Sequence, residues 1–599
     1  MQKGIAFWFF MCYNNSVIEY FPMTYAELDH IHQNRLPRSS GESLKWVPKV
    51  QGRRKLTESL RQEDRGGNDA ILRMTANFLF SEPPILSVTF SFYLQFYFLS
   101  KKGKKTMDKF MDALYNVVVT INTYLSNYVL IILLVGVGLF FTIRTKFVQV
   151  RCFGEGMKNV FGNIKFKGAK NESGMSSFQA LATAIAAQVG TGNIVGACGA
   201  ILVGGPGAIF WMWIIAFLGM ATIYAEAVLA QKTRVVNADG SIEGGPVNYI
   251  KAAFKGKFGK FLAVFFSIAT VIALGFVGAM VQSNSIASNF ANVFSTAGVD
   301  ASFTFAGLEL NWIMLLVGAI VAAVAGFVLL GGVQRLASVT EKLVPIMALL
   351  YIVGGLFVLA INITDVPAAF GMIFKYAFQP QALIGGAFGA AIAKAITQGA
   401  KRGLFSNEAG MGSTPHAHAL ANVKKPHDQG TTAMIGVFID TFVVLTMTAL
   451  VVISTLYCNG TITPDTYALG NAGISNATMA QSAFGMTFAK LFGESAGTMI
   501  GNIFVAVCLL FFAFSTILSW NYFGKVNFMN LFGKKSVTIY SIIAIVFVFL
   551  GSAFQNDLVW ELTDLANYLM VLPNAIALFA LGGMVVTLTK FGKNKDDLQ

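Results

Sequence analysis

The sequence predicts an all-α polytopic membrane protein with about 11 transmembrane helices, a leading helix followed by a five-plus-five inverted repeat. The first observation is composition, because 55% of the 599 residues are hydrophobic and only 12% are charged. The second is a series of apolar stretches long enough to cross a bilayer. The third is that spans two and seven are interrupted by glycine and polar residues. Because an odd number of crossings separates them, the two halves lie upside down relative to one another.

Charge, cysteine usage and motif content exclude several function classes. The formal net charge is +14, but most Lys and Arg residues lie in short loops, which is typical of membrane topology rather than nucleic-acid binding. Five scattered cysteines indicate neither a disulfide framework nor a zinc site. His416, His418 and His427 with Glu408 lack a converging ligand set, so no metal beyond a coupling ion is expected. The chain has neither a nucleophile with its base nor a GxxxxGK[ST] loop, which argues against an enzyme and against ATP-driven transport.

Residues 1–106 form a leader that does not match the rest, and we expect it to be absent from the functional protein. It is mixed and charged, and its aromatic run Ile85–Leu99 is short for a spanning helix. The codons of Lys101–Thr106 must be nearly all purine and resemble a bacterial ribosome-binding site just before Met107. The transporter domain is therefore expected at 107–599, with inverted repeats at about 177–361 and 381–588.

The predicted spans follow an amphipathic lead-in after Met107. Their approximate limits are Asn127–Phe147, Ser177–Ile201, Pro206–Gln231, Phe261 to beyond Asn284, Leu310–Leu330, Leu343–Ile361, Gln381–Gly412, Gly430–Tyr457, Ala496–Trp520, Val537–Phe554 and Leu562–Leu588.

Basic residues mark alternate loops, as expected when Lys and Arg gather on the cytoplasmic side. Seven of them follow the first span between Arg144 and Lys170, whereas Val281–Asn311 and Tyr457–Gln481 contain none. Lys401, Arg402, Lys424 and Lys425 follow the seventh span. This pattern predicts a multi-pass protein of a bacterial-type cytoplasmic membrane, with a cytoplasmic C-terminus.

The first interruption, Val189–Asn193, lies about a dozen residues into its span, near the middle of the membrane. Unpaired backbone groups at that depth must face protein or a wet cavity, so this is where a binding site is expected. The alternative is a glycine interface that only lets two helices approach. In the second interruption, Thr397–Gly410 is too polar to continue a lipid-facing helix.

Three long motifs resemble the alanine or glycine:cation symporter family, also called the sodium:alanine symporters. They are GGPGAIFWMW at Gly204–Trp213, GLFSNEAG at Gly403–Gly410 and FIDT at Phe438–Thr441. The resemblance covers Met107 to the C-terminus. It implies the fold of the leucine and neurotransmitter sodium symporters with one extra span, and import of alanine and/or glycine with Na⁺ by alternating access. The alternatives are a proton-coupled carrier of small amino acids and, less favoured, a membrane amino-acid sensor. No other cofactor and no obligatory protein partner is evident.

A zwitterionic amino acid needs hydrogen-bond donors for its carboxylate and an apolar wall for its side chain. Backbone N–H groups near Gly190, Thr191, Gly192 and Asn193 suit the carboxylate, because a positive helix end favours an anion. The remaining substrate residues are implied by the resemblance. Phe388 and Ile392 would line the side-chain pocket, Gln282 would make a polar contact and Trp520 would form a wall. Ordinary helix packing, or an interfacial position for Trp520, is the alternative.

The coupling ion is expected where hydroxyl and carbonyl oxygens converge. Ser515 and Thr516 on the ninth span correspond to the adjacent hydroxyls of a sodium site in the related fold. Opposite them the carbonyls around Ala187, Val189 and Gly190 would complete the site. The alternative is that both hydroxyls only bond the carbonyl four residues earlier in their own helix. Three further charges fall within or near spans, Glu226, Lys394 and Asp440, and we favour a structural role for them.

Overall fold

The computed structural model describes residues 111–162, 175–238, 241–305, 308–379, 388–463, 475–553 and 557–591. All of them belong to the unit Lys105–Gln599. The expected leader at 1–106 lies outside the described residues. So does the expected start of the second broken helix at Gln381.

The first half of the described chain is helical except for two short antiparallel hairpins. Its elements are α1 (Met111–Arg144), α2 (Val148–Arg151), α3 (Phe153–Phe161), α4 (Ser177–Gln188), α5 (Gly192–Gly204), α6 (Ala208–Thr233), β1 (Val235–Val236), β2 (Ile242–Glu243), α7 (Pro246–Ala253), α8 (Gly256–Thr296), β3 (Ser302–Phe305), β4 (Leu308–Asn311), α9 (Trp312–Leu330), α10 (Gly332–Ile361) and α11 (Val366–Phe378).

The regular elements described in the second half are all helices. They are α12 (Phe388–Asn407), α13 (Pro415–His418), α14 (Pro426–Tyr457), α15 (Met479–Phe492), α16 (Glu494–Phe532), α17 (Lys534–Ala553), α18 (Asp557–Ala580) and α19 (Gly582–Phe591).

The predicted fold class, an all-α polytopic membrane protein, is confirmed. Among the described residues, nine helices are long and apolar enough to cross a membrane, or ten if the bent pair α4 and α5 counts as one span. A helix satisfies every backbone hydrogen bond within its own segment, which is why apolar spans of this length adopt it. The helices of the first, sixth and ninth predicted spans are longer than expected, and α8 continues past Asn284 as expected. Short helices such as α3 and α11, and the two hairpins, were not predicted.

The first predicted interruption is present between α4 and α5. A capping box starts α4, because the Ser176 hydroxyl accepts from the Gln179 amide and the Gln179 side chain accepts from the Ser176 amide. The helix ends at Gln188, and the axis bends by 46° before α5 begins at Gly192. Every residue from Ala180 to Ile201 is buried, so the opened backbone faces protein rather than lipid.

The second interruption lies later in the chain than expected. Residues 397–406 remain helical, and α12 continues to Asn407. The chain then turns through Glu408, Gly410 and Gly412 at φ of 58°, 91° and 80°. A positive φ at Glu408 is strained for a residue with a side chain, whereas the two glycines adopt it readily.

Contacts with neighbouring helices explain why the polar part of α12 stays helical. Its small residues pack closely, since a Cβ added to Gly399 would lie 2.6 Å from the Trp211 Cβ. Lys401 Nζ lies 2.6 Å from the Asp564 carboxylate of α18, and Arg402 lies 3.7 Å from it. Lys401 and Arg402 are therefore not loop residues, which corrects their use as topology markers. These two basic residues of α12 thus face a carboxylate of a neighbouring helix rather than lipid, and the helix does not open at them.

Candidate functional site

The two interruptions meet in the interior of the protein. A Cβ added to Gly192 in the first would lie 2.9 Å from the Cα of Ser406, just before the second. At the other end of the same pair of helices, a Cβ on Gly204 would lie 3.4 Å from the Cα of Ala395. Helices α5 and α12 thus run antiparallel, and the missing side chain at Gly192 allows their backbones to approach.

Asn193 fixes the conformation of the first interruption. Its Oδ1 accepts a hydrogen bond from the Gly190 amide at 3.0 Å, and its Nδ2 donates to the Asp440 carboxylate at 2.7 Å and the Asp440 carbonyl at 3.1 Å. Asn193 and Asp440 are fully buried. One amide side chain therefore joins the opened backbone to α14, and its rotamer is set by contacts on both sides.

Asp440 is surrounded by donors. Besides Asn193, the Ser406 hydroxyl donates to it at 3.0 Å and the Thr441 hydroxyl at 2.8 Å. Neither Asp440 nor Glu226 forms an ion pair with another described residue. A buried carboxyl group held only by neutral donors keeps lone pairs available for a cation or a proton.

Glu226 occupies a similar position at the second interruption. Its carboxylate accepts from the amides of Gly410 and Gly412 at 3.2 and 3.1 Å, and from Asn574 Nδ2 at 2.6 Å. Glu226, Lys394 and Asp440 do not pair with one another, and Lys394 is exposed. Glu226 instead holds the turn that follows α12, which is a structural role.

Gln282 lies against the first interruption. Its Oε1 accepts from the Thr191 amide at 3.3 Å. The Thr191 hydroxyl is fully buried and has no hydrogen-bond partner in the described part of the chain. The same holds for the hydroxyls of Ser283, next to Gln282, and Ser519, next to Trp520. A buried hydroxyl without a partner is costly, so the Thr191 hydroxyl at the interruption is available to a polar ligand.

Ser515 and Thr516 lie opposite the end of α4. Thr516 Oγ1 is 3.0 Å from the carbonyl oxygen of Ala186 and 3.3 Å from that of Ala187, and Ser515 Oγ is 3.2 Å from the Ala186 oxygen. Both hydroxyls are also within 3.1 Å of the Phe512 carbonyl in their own helix. The inter-helix contacts and the intra-helix bonds therefore coexist.

Gly190 explains why this cluster is compact. A Cβ at Gly190 would collide with Thr516 Oγ1 and would lie 3.4 Å from Gln282 Oε1. The glycine thus lets the hydroxyl approach the backbone directly. The cluster combines two hydroxyls with the carbonyls of Ala186 and Ala187, which are the hard oxygen ligands that an alkali cation prefers. Val189 makes no hydrogen bond to either hydroxyl among the described residues, and the Gly190 carbonyl accepts from the Asn193 amide at 3.3 Å.

Trp520 is an interior residue rather than an interfacial anchor, because only 1% of it is exposed. Its indole N–H donates to Glu408 Oε1 at 2.5 Å, and the Ser413 hydroxyl donates to the other carboxylate oxygen. The ring packs edge-on against Phe405 at 5.7 Å between centroids. Trp520 therefore joins α16 to the second interruption.

The structure does not bring Ile392 to the first interruption. Fourteen residues of continuous helix separate it from Ser406, which corresponds to about 21 Å along the axis. Ile392 is half-buried, and a Cβ on neighbouring Gly389 would contact nothing within 4 Å. The side chain of Phe388 lies outside the described residues. The pocket role of Phe388 and Ile392 remains a prediction.

His416 and His418 lie on the short helix α13 beyond the second interruption. Burial lowers the pKa of His416 to about 4 and that of His418 to about 3. His416 Nδ1 lies 2.7 Å from the Ser413 carbonyl and its Nε2 accepts from Asn527 at 2.8 Å. Both nitrogens of this neutral ring have protein partners, so His416 acts as a structural hydrogen-bond bridge.

Comparison with known proteins gives the family. The sequence pattern of the sodium:alanine symporter family matches residues 111–597. The chain belongs to this family. It is a multi-pass membrane transporter, not an enzyme.

Three relatives of this symporter show how far the similarity extends. An uncharacterized transporter of Haemophilus influenzae is 39% identical over 78% of this chain and 94% of that protein. The sodium/alanine symporter AgcS of Methanococcus maripaludis is 39% identical over 79% of this chain and 95% of its own. The "Probable sodium/glutamine symporter GlnT" of Bacillus subtilis is 36% identical over 78% of this chain and 88% of its own.

Several residues of the symporter site were missed by reasoning from sequence. Ser406 and Glu408 were noted only as part of a polar stretch, and Asn574 was not considered. A polar residue within an apolar span was the available signal, and it applied to Asn574 as well as to Asp440. Sequence spacing could not show that they meet, because Asn574 and Glu226 are 348 positions apart.

Proposed function

We propose that this transporter imports alanine and/or glycine across the cytoplasmic membrane, coupled to Na⁺ by alternating access. The observation that carries the proposal is the first interruption. On one side it presents a buried hydroxyl without a partner at Thr191, and on the other a cluster of oxygens at Thr516. An amino-acid site and a cation site thus share one opened segment of backbone, which is an economical way to couple them.

In this proposal the substrate carboxylate binds at Thr191, Gly192 and Asn193. The amide of Thr191 is held by Gln282 Oε1 at 3.3 Å, and the carboxylate would replace that oxygen. The Gln282 side chain could then turn its own NH₂ group toward the ligand. A carboxylate at a helix N-terminus accepts charge-assisted hydrogen bonds, which stabilise it more than they stabilise the neutral amide oxygen of Gln282.

The cation would bind between the end of α4 and α16. Its ligands would be the hydroxyls of Ser515 and Thr516 and carbonyl oxygens from Ala186 to Gly190. Residues Ala187, Val189 and Gly190 belong to the set expected from sequence, and the contacts of Thr516 add Ala186. A small shift of the backbone on binding would turn these carbonyls from their present donors toward the ion.

The size of the substrate is a separate part of the proposal. Family membership does not settle it, since one relative is described as an alanine symporter and another as a glutamine symporter. The resemblance assigns Phe388 and Ile392 to the wall around the side chain, which leaves room for little more than a methyl group. Because Ile392 is distant from Ser406 along α12, the wall around the substrate side chain is tested separately, with Ile392→Ala.

The proposed orientation of the protein in the membrane is argued from the positions of its basic residues. After the removal of Lys401 and Arg402 from the count, Lys424 and Lys425 still follow the second interruption, and Lys534 and Lys535 follow α16. This distribution supports a cytoplasmic C-terminus. The inverted repeat is supported by the antiparallel pairing of the helices next to the two interruptions.

One observation supports proton coupling as a second candidate. Asp440 is fully buried, is hydrogen-bonded to Asn193, and makes no ion pair with another described residue. A carboxyl group in this position could carry a proton. Transport driven by an inward pH gradient in the absence of Na⁺ would favour this candidate. If Asp440→Asn abolishes that transport but retains part of its Na⁺-driven uptake, the proton is assigned to this residue.

Calorimetric titration of the purified protein tests the proposal before any transport is measured. Because coupling between two ligands is reciprocal, Na⁺ should raise the affinity for alanine by the same factor as alanine raises the affinity for Na⁺. Choline chloride at equal ionic strength is the control for salt. Alanine binding of equal affinity in Na⁺ and in choline would argue against sodium coupling.

A further inference from the structure

A group of potential metal ligands lies apart from the site described above. Cys152 lies between α2 and α3, Glu155 is in the first turn of α3, and His427 is in the first turn of α14. One ligand atom from each lies within 4.8 Å of the others, and His427 Nε2 is 3.4 Å from Glu155 Oε2. Two elements far apart in sequence thus present thiol, carboxylate and imidazole groups to one point.

The distances suit a tetrahedral ion. With zinc bonds of about 2.0–2.1 Å to nitrogen and to oxygen, two such ligands in a tetrahedral site are about 3.4 Å apart. This is the observed distance between His427 and Glu155. Cys152 and His427 are buried, whereas the Glu155 side chain is 43% exposed and can adjust. The largest separation, within 4.8 Å, requires a movement of about an ångström.

A chain of hydrogen bonds sets the tautomer of His427. The Thr589 hydroxyl donates to the Val585 carbonyl at 2.9 Å, so its oxygen accepts from the Tyr224 hydroxyl at 3.0 Å. The Tyr224 oxygen is then left to accept from His427 Nδ1–H at 2.6 Å. In this tautomer Nε2 carries a lone pair that points away from these hydrogen bonds.

The consequence is that two acceptors face one another. The Nε2 lone pair and the Glu155 carboxylate repel at 3.4 Å unless a cation lies between them. This cation can be a proton or a metal ion. The buried sulfur of Cys152 on the same side favours the metal, because a thiolate is a ligand for a soft or borderline ion.

We infer that Cys152, Glu155 and His427 form a binding site for a divalent transition-metal ion of the Zn²⁺ class. Thiolate, imidazole and carboxylate are the ligand types that such an ion takes, and three protein ligands leave a fourth position for water. Tyr224 is a positioning residue that orients the imidazole, as outer groups commonly do at metal sites. The scattered cysteines gave no sign of this site, because its ligands are separated by 272 positions.

The bound ion would join three parts of the transporter. Through Cys152 and Glu155 it holds the segment that follows α1, through His427 it holds the start of α14, and Tyr224 extends the link to α6. The inference does not depend on the proposed substrate or coupling ion. Metal binding should release a proton from the Cys152 thiol, since only the thiolate binds the ion.

Titration of the purified full-length protein with Co²⁺, after removal of metal by a chelator, tests the site. Wild type should show a thiolate-to-cobalt charge-transfer band and the visible absorption of a tetrahedral ion, and Zn²⁺ should displace both. Cys152→Ser should lose the charge-transfer band. Tyr224→Phe should keep the band but bind about 10- to 100-fold more weakly, because it removes only the orienting hydroxyl.

Two further variants complete the test. Cys458→Ser is the matched control, since it removes a different thiol and should leave cobalt binding unchanged. Glu155→Gln alters a side chain that is 43% exposed, and it should weaken binding at least tenfold. No charge-transfer band in wild type, the same band in Cys152→Ser, or unaltered affinity in Glu155→Gln would each overturn the inference. A Tyr224→Phe variant with wild-type affinity would overturn the role of the tautomer.

Discussion

Thr516→Ala gives the sharpest test of the proposed cation site. The change removes one oxygen that lies 3.0 and 3.3 Å from the carbonyls of Ala186 and Ala187. A polar contact to a charged group contributes about 1.5–3 kcal/mol. Since about 1.4 kcal/mol corresponds to a factor of ten, the Na⁺ concentration for half-maximal uptake should rise about 10- to 100-fold. Thr516→Ser keeps the hydroxyl and should stay near wild type.

The assay is alanine uptake into proteoliposomes as a function of Na⁺ concentration. Ser515→Ala should have a smaller effect, because Ser515 Oγ reaches only the Ala186 carbonyl across the interface. Thr455→Ala is a matched control, since this buried threonine bonds only carbonyls of its own helix, Val451 and Val452. Unchanged sodium dependence in Thr516→Ala, with a higher alanine requirement, would assign the hydroxyl to the substrate or to packing and would refute the reasoning.

Three further predictions follow from the described contacts. Asp440→Asn places an amide against the three donors that now bond the carboxylate, which should cost about 1–3 kcal/mol of local stability. Alanine uptake should therefore fall at least tenfold while the protein still inserts, and wild-type uptake would contradict this. Ile392→Ala should let leucine compete about tenfold better or more, as expected for a pocket enlarged by one or two methylenes; unchanged competition would remove Ile392 from the pocket. Melting temperature should fall as pH drops from 6.5 towards 4, because the unfolded state protonates His416 before the folded state does, a loss of about 3 kcal/mol. His416→Gln should weaken that dependence without abolishing it, because burial also lowers the pKa of His418.

The first interruption could be predicted from sequence because its signal is local. Two glycines, a threonine and an asparagine within an apolar span predict an interruption of the helix, and Asn193 lies at that interruption. The apolar spans were predictable for the same reason, since length and hydropathy determine them residue by residue.

The second interruption was harder because polarity alone does not open a helix. Lys401 and Arg402 lie 2.6 and 3.7 Å from Asp564 of a distant helix, and α12 continues through them to Asn407. The break occurs instead where Glu408 and two glycines take positive φ. Which polar residues find partners depends on tertiary contacts, and single-sequence reasoning cannot list those.

The same limit applies to the site. The resemblance assigned Gln282 and Trp520 to the binding region, and both are buried next to the interruptions. The polar partners that complete the region, Ser406 and Asp440, come from two other helices. Their meeting depends on how α12 and α14 pack around Gly192, which a motif does not encode.

Accumulation of labelled alanine by proteoliposomes tests the central claim most directly. With Na⁺ outside and choline inside, the account predicts that alanine reaches a higher concentration inside than outside. It also predicts that the accumulated alanine leaves when the gradient is dissipated by a sodium ionophore. Equal alanine concentrations on the two sides under an imposed sodium gradient, in vesicles that retain that gradient, would contradict sodium-coupled import.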